Sequence, residues 1–219
     1  MLRNFSRSSI LRRGGILDNW LDNNRCVLCT NATNTNPWCD ACLGSLPAWT
    51  REPPRFPGLD NVTIGYRYEY PIDRLIQAAK YRRNFLLATA MATLLPLTDN
   101  LSARTVLYPV PVSKWRLQRR GFNQTRIFAD SIKRRTGCSI DEVSIHKRSW
   151  LKDQSALDAR ARKRNATKLF IGKFSGAAAQ HAVIIDDVIT TGATVSTLAR
   201  LLRAHGAERI DVIALSAVT

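Results

Sequence analysis

Asp186 and Asp187 stand side by side after the apolar run 182–185, and Ile189-Thr-Thr-Gly-Ala-Thr194 follows almost at once. Adjacent carboxylates can accept hydrogen bonds from vicinal sugar hydroxyls, and one of them can help hold a hydrated Mg²⁺. A helix expected to begin at Thr194 would offer a phosphate its unpaired backbone N–H groups and the positive end of its dipole. Gly192 permits close backbone approach, and Thr190, Thr191 and Thr194 supply hydroxyl donors. These types at this spacing suit capture of a phosphorylated ribose. A plain helix start with solvated aspartates is the alternative.

A second cluster is built from sulfur. Cys26-Val-Leu-Cys29 and Cys39-Asp-Ala-Cys42 are two CxxC pairs separated by residues 30–38. Each two-residue spacer makes a tight turn, so four thiolates can surround one metal at about 2.3 Å per Zn–S bond. With all four positions filled by protein, such a Zn²⁺ is structural and supplies folding energy to a module too small for its own core. Iron in a rubredoxin-like site, or two unconnected thiol pairs, are the alternatives. Cys138, after Gly137 at an expected helix end, is taken as a passive small residue.

The elements that must position these groups follow from periodicity. Residues 62–70 alternate strictly, Val62, Ile64, Tyr66, Tyr68 and Tyr70 against Thr63, Gly65, Arg67 and Glu69, which predicts a half-buried strand. Helical spacing covers 71–97 and 123–135, and a short buried strand spans 105–110. Residues 182–185, 194–205 and 210–217 close the chain as a βαβ unit, which implies a mainly parallel sheet. The first twenty or so residues lack a clear period and suggest either a mobile segment or a short helix around 16–21. Residues 47–57 contain four prolines and suggest a linker, and 146–166 suggest a loop or helical arm. The expected division is 1–57, holding a small independent cysteine module and the linker, and 58–219, an α/β domain.

Charge and hydropathy narrow the function classes. The 219 residues carry 33 Lys and Arg against 17 Asp and Glu, a net +16. Residues 114–164 alone hold fifteen basic and five acidic side chains, a net +10. A polyanionic partner is expected, a generally basic solvated surface being the alternative. Trp115, Phe122 and Trp150 interleave with these cations as in a single-strand nucleic-acid track, unless they are core residues. The apolar runs are strand-sized, so no membrane span is expected. Arg3, Arg7, Arg12 and Arg13 precede no apolar signal core, so no secretory leader is expected either, an organelle transit peptide being the alternative. His146, His181 and His205 are scattered and suggest no general base.

The string Asp186-Asp-Val-Ile-Thr-Thr-Gly-Ala-Thr194 resembles the signature of the type I phosphoribosyltransferases. That resemblance implies that Asp186 and Asp187 grip the ribose of phosphoribosyl pyrophosphate (PRPP), with Mg²⁺ accompanying it. Thr190, Thr191, Gly192, Ala193 and Thr194 would hold the 5′-phosphate. Tyr108-Pro-Val-Pro-Val-Ser-Lys114, Arg119-Arg-Gly-Phe-Asn-Gln124 and Lys80-Tyr81-Arg82 resemble the competence protein F (ComF) family. So do Gln154, Leu157, Arg162 and Asn165 at their relative spacing, and the four-cysteine knuckle, while Arg83, Ser149 and Leu151 depart from the pattern. The likeness runs from Cys26 to the C-terminus.

It implies an α/β fold of the type I phosphoribosyltransferase kind, a mainly parallel sheet flanked by helices with a small hood, plus the N-terminal zinc module. It also implies a role in natural transformation, with single-stranded DNA bound in the cytoplasm. Ser113 and Lys114 become the pyrophosphate loop, and Arg116, Arg119, Arg120, Asn123, Arg162 and Arg164 the nucleic-acid contacts, with pyrophosphate as the alternative ligand of Arg119, Arg120 and Asn123. The knuckle, with Arg25 and Trp38, would present DNA or a protein partner such as a competence helicase. No catalytic residue is assigned, because phosphoribosyl transfer needs a charge clamp and a positioned acceptor rather than a protein nucleophile. No acceptor pocket is evident in 60–104. A DNA-handling protein, a transferase of nucleotide metabolism and a PRPP-sensing regulator therefore all remain open.

Overall fold

The computed structural model describes residues 24–34, 36–81, 84–147 and 169–218. In chain order the elements are α1 (Asp40–Gly44), β1 (Asn61–Arg67), α2 (Ile72–Tyr81), α3 (Phe85–Ala92), β2 (Thr105–Pro109), α4 (Lys114–Arg120) and α5 (Gln124–Thr136). There follow β3 (Ser139–Ile140), β4 (Ile145–Lys147), β5 (Phe170–Gly172), β6 (His181–Ile189), α6 (Ala193–His205) and β7 (Arg209–Ala217). The expected helix at 16–21, Trp150 and most of the 146–166 arm lie outside the described residues.

Five strands form one sheet in the order β1-β7-β6-β2-β3, and every pair in it is parallel. Strands buried on both faces carry unbroken apolar runs, as 182–185 does. Val183 and Ile185 face a core shared with α2, α3 and α5, whereas Ala182 and Ile184 face α6. β4 and β5 form a separate antiparallel pair.

The apolar span 71–97 is two helices rather than one. α2 ends at Tyr81, and Asn84 starts α3 by accepting the Leu87 N–H at 2.9 Å on its side-chain oxygen. An Asn at that position serves the backbone better as a cap than inside a helix. α3 then stops at Ala92, ahead of Pro96. Residues 47–49, within the proline-rich stretch, lie along the free edge of β1. Trp49 N–H donates to Gly65 O at 2.9 Å, Arg67 N–H to Pro47 O at 2.8 Å, and Ala48 bridges Tyr66.

The end of the sheet opposite the acids is clasped by one carboxylate. Asp211 on β7 is 5% exposed. It accepts from Asn61 Nδ2 at 3.2 Å, Asn100 Nδ2 at 2.9 Å and Arg209 Nη2 at 2.9 Å, and pairs with His181 Nε2 at 2.9 Å. His181 Nδ1 meets Thr105 Oγ1 at 3.1 Å, so the network crosses β1, β7, β6 and β2. His181 is thereby structural, and His205 stacks on Phe174 with ring centroids 4.3 Å apart. Asp211→Ala removes the one buried acceptor that these partly exposed donors share and is expected to cost about 2 kcal/mol of folding stability. The urea-unfolding midpoint measures it, and a change within error would refute the clasp.

Candidate functional site

Strand β6 continues through both acids to Ile189 instead of ending at Ile185, because pairing with β7 carries on past the apolar run. Asp186 is opposite Ala214, and Ser216 Oγ donates to Asp187 O at 3.2 Å. The pleat turns the two side chains differently. Asp186 is 7% exposed, and its Oδ1 accepts the Asp187 N–H at 2.8 Å. Asp187 meets Lys80 Nζ, from the last turn of α2, at 2.5 Å. Burial, reinforced by the neighbouring Asp187 charge, pushes the Asp186 carboxyl up to about 8.

Beyond β6 the chain turns through Thr190 and Thr191, both exposed, into Gly192 at φ +70°. That left-handed conformation favours glycine. A Cβ there would also collide with the Phe56 ring at 2.1 Å, so a residue of the proline-rich segment seats the loop. Gly192 precedes the thirteen-residue α6 with no side-chain cap, which leaves the first-turn N–H groups for a ligand. Ala193 and Thr194 begin this helix, one residue earlier than its spacing predicts.

Asp186, Asp187 and Thr194 line a cavity of about 200 Å³, together with Arg116, Arg120 and Asn123 from the region of α4 and α5. Lys80, Gln124 and Lys147 also face it. No helical spacing marks 114–120, yet α4 forms because Ser113 Oγ accepts the Arg116 N–H at 3.4 Å and Gly121 closes the helix at φ +84°. Helix geometry then sorts the basic residues. Arg116 and Arg120, four apart, are half-buried against the cavity, and burial next to Arg116 pulls Arg120 below its ordinary value. Trp115 is 58% exposed on the outer face, with the Arg119 guanidinium 5.3 Å from its ring centroid.

Of the expected pyrophosphate loop, Ser113 is the α4 cap and Lys114 faces a second cavity of about 990 Å³. That larger space shares Pro111, Val112, Asn123 and Lys147 with the first, and is lined further by Phe85, Phe122 and Ile145. A room next to the acids therefore exists, built chiefly from residues after 104, where no sequence pattern pointed to it. Arg162, Arg164, Gln154, Leu157, Asn165, Arg82, Arg83, Ser149 and Leu151 lie outside the described residues. Sequence reasoning gave no site role to Lys80, Gln124, Lys147 or Phe56. Lys80 and Gln124 carried a signal, as parts of the quoted Lys80-Tyr81-Arg82 and Arg119-Arg-Gly-Phe-Asn-Gln124.

The four cysteines come together as their spacing requires, with all Sγ atoms of Cys26, Cys29, Cys39 and Cys42 within 4.8 Å of one another. A tetrahedron with 2.3 Å bonds has edges of about 3.8 Å, so the set fits a metal such as zinc. Against the upward push of burial, Cys26 is held below the ordinary thiol value by N–H groups of Cys29, Cys39 and Leu28. Burial raises Cys42 and Cys29. Trp38 is not displayed to a partner: it is 2% exposed, and its Nε1 donates to Ala90 O at 3.3 Å and Thr93 Oγ1 at 3.0 Å. Arg25 is exposed and donates to Thr30 O at 3.0 Å.

An acid held above its unfolded value binds its proton more tightly in the folded chain, so stability falls as pH rises from about 4 to about 8. Asp186→Asn removes that slope. Its urea midpoint, relative to the parent protein in ligand-free buffer, is expected to rise between about pH 5 and about pH 8. An offset independent of pH would contradict the burial of this carboxyl.

The phosphoribosyl transferase domain family matches residues 127–218, which include both acids and α6. DNA utilization protein YhgH of Escherichia coli (strain K12) is 32% identical over 188 residues, covering 83% of this chain and 78% of that one. Competence protein F of Haemophilus influenzae is 27% identical over 208 residues, covering 89% and 90%. Competence protein ComFC of Bacillus subtilis is 33% identical over 101 residues, covering 46% and 39%. The parallel sheet with its acid-loop-helix unit has the type I phosphoribosyltransferase-like fold, and with the four-cysteine knuckle in front of it the chain belongs to the ComF family.

Proposed function

We propose that this protein handles incoming DNA in natural transformation, in the cytoplasm, binding single-stranded DNA on its basic surface and Mg²⁺–PRPP in the cavity at the end of β6. The observation that carries the reading is the two-faced α4. Its inner face brings Arg116 and Arg120 to the cavity of Asp186 and Asp187, and its outer face exposes Trp115 and Arg119. Cations for phosphates beside aromatic faces for bases are what a single-strand surface needs. Tyr81 and Phe85, 71% and 53% exposed, add apolar area. The paired acids and the uncapped α6 suit a ribose and its 5′-phosphate.

Active phosphoribosyl transfer is the second reading, and the larger adjoining cavity favours it, because an acceptor could be placed against the sugar there. In a third reading PRPP occupancy tunes DNA binding without transfer, since one short helix faces both ligands. Zn²⁺ is the metal proposed for the knuckle, and a competence helicase is the kind of protein partner that would receive the strand. Among the described residues no helix is long and apolar enough to cross a membrane.

Fluorescence anisotropy with a labelled oligothymidylate, with and without Mg²⁺–PRPP, tests the reading. Affinity is expected to fall about tenfold or more between about 50 and about 200 mM salt. Trp115→Ala combined with Arg119→Glu should weaken it by a further factor of about ten. No binding at low salt removes the DNA role. The Asp186→Asn/Asp187→Asn double variant is expected to lose PRPP binding by calorimetry, and normal binding would refute the site. Extraction of the knuckle metal by a strong chelator is expected to free Trp38, giving a red-shifted tryptophan emission and a lower thermal midpoint. Unchanged emission after complete removal would show that the metal does not hold that packing.

A further inference from the structure

The loop after β6 is held from behind by residues that line no part of the cavity. Phe56, in the proline-rich stretch, is half-buried against the apolar cluster of Ile189, Val195 and Leu198. The three atoms nearest to the open face of Gly192 all belong to its ring. From there the chain runs along α6. At Gly58, φ +84°, the backbone passes so close that an added Cβ would lie 3.3 Å from Ala199 Cβ. Asp60 Oδ2 then accepts from Arg203 Nη2 at 2.8 Å and from the Ile210 N–H at 2.7 Å. Positions 192, 199 and 203 fall on one side of α6, because these spacings are close to whole helical turns. Residues 56–60 thus form a splint along α6, fixed by Asp60 at one end and pressing on the loop at the other.

The splint is stiff where it meets the loop. Pro57 confines Phe56 before it to extended backbone, and Pro53 and Pro54 hold their own φ at about −65°. The loop is not stiff by itself. Thr190 and Thr191 are exposed, Gly192 has the widest conformational freedom of any residue type, and no side chain caps α6. The Ser196 N–H donates to Gly192 O at 2.9 Å, so the loop and the first turn of α6 share Gly192. A ligand that meets an unrestrained loop has to order it on arrival, and that cost is subtracted from its affinity.

We propose that Phe56 is a positioning residue for this loop. It holds 190–194 and the first turn of α6 in the receiving shape, and so sets the affinity for a sugar 5-phosphate without touching it. The inference rests on the reading of the α6 start as the 5′-phosphate site, and it deepens that reading by naming a residue outside the cavity on which the site depends. Asp186, Asp187, Arg116 and Arg120 face the cavity from other elements or from before the loop, so the ring acts on the 5′-phosphate end of a ligand.

Amide hydrogen exchange and calorimetry on the whole protein in Mg²⁺ buffer test it. In Phe56→Ala the Ser196 amide is expected to exchange about tenfold faster. The Gly206 amide at the far end of α6, which donates to Arg203 O at 3.0 Å, should stay within about twofold. Ribose 5-phosphate should bind the same variant about tenfold more weakly. Phe56→Leu, which keeps an apolar group against Gly192, should recover both readouts to within about threefold of the parent. Unchanged exchange at Ser196 overturns the proposal. Equal acceleration at Ser196 and Gly206 overturns it too, because the ring would then serve general stability alone. Faster exchange at Ser196 with undiminished ribose 5-phosphate affinity also overturns it, and leaves the 5′-phosphate site standing. A parent protein that binds no ribose 5-phosphate removes that site, and the role of Phe56 falls with it.

Discussion

Asp186 and Asp187 lie in the last pleats of a strand covered on both faces, and the charge they carry has to be answered from elsewhere in the chain. Two adjacent carboxylates cannot both ionise cheaply where one of them is buried. Lys80 reaches Asp187 from α2, and Arg116 and Arg120 reach the same cavity from α4. Helices α5 and α6 open at the ends of the neighbouring strands with their N-termini uncapped. Each contribution is positive in sign and comes from a separate element. The arrangement of α2, α4, α5 and α6 around this end of the sheet can be understood as the surrounding that a diacid needs. The same surroundings suit a ligand with phosphates, because cations gathered to answer a carboxylate also answer a phosphate.

The cysteine module is bound into this arrangement rather than appended to it. Trp38, between the two CxxC pairs, hydrogen-bonds the last turn of α3 and belongs to the core that contains Ile76, Met91 and Ile185. Metal binding at Cys26, Cys29, Cys39 and Cys42 would therefore order more than its own loop. It would fix one wall of the sheet's core, and Ile185 of that core directly precedes the acids. The proline-rich stretch acts likewise, since Phe56 fills the space against Gly192 that any other side chain would need.

What the sequence showed and what it hid divide along a physical line. The acids and their loop were legible because strand, turn and helix start are contiguous, and contiguous patterns carry their own geometry. The cysteine spacing was legible for the same reason. The strand's extension to Ile189 was not, since pairing with β7 rather than apolar content holds Asp186 and Asp187 in it. Nor was the break after Tyr81, where one Asn within an apolar run acts as a cap. The basic character of 114–120 could be counted, but the direction of each arginine depended on which face of α4 packs. Gln124 was quoted as part of a family string, yet its burial with no hydrogen-bond partner among the described residues is a property of the folded chain alone.

Helix α4 also bears on whether the site serves binding or turnover. It has seven residues, no buried side chain, one Ser cap and one left-handed glycine to hold it. Its stability therefore depends heavily on what its inner face touches. Under the proposed function, an anion between Arg116 and Arg120 fixes the same backbone that displays Trp115 and Arg119, so ligand binding and strand binding act on one small lever. A transferase alone would have no use for an aromatic and a guanidinium stacked on the far side of that helix. A DNA surface alone would have no use for two acids at the bottom of the cavity. Under the same proposal the short helix joining them would couple phosphoribosyl occupancy to DNA binding, and the adjoining cavity is where an acceptor would have to sit if that occupancy were also consumed.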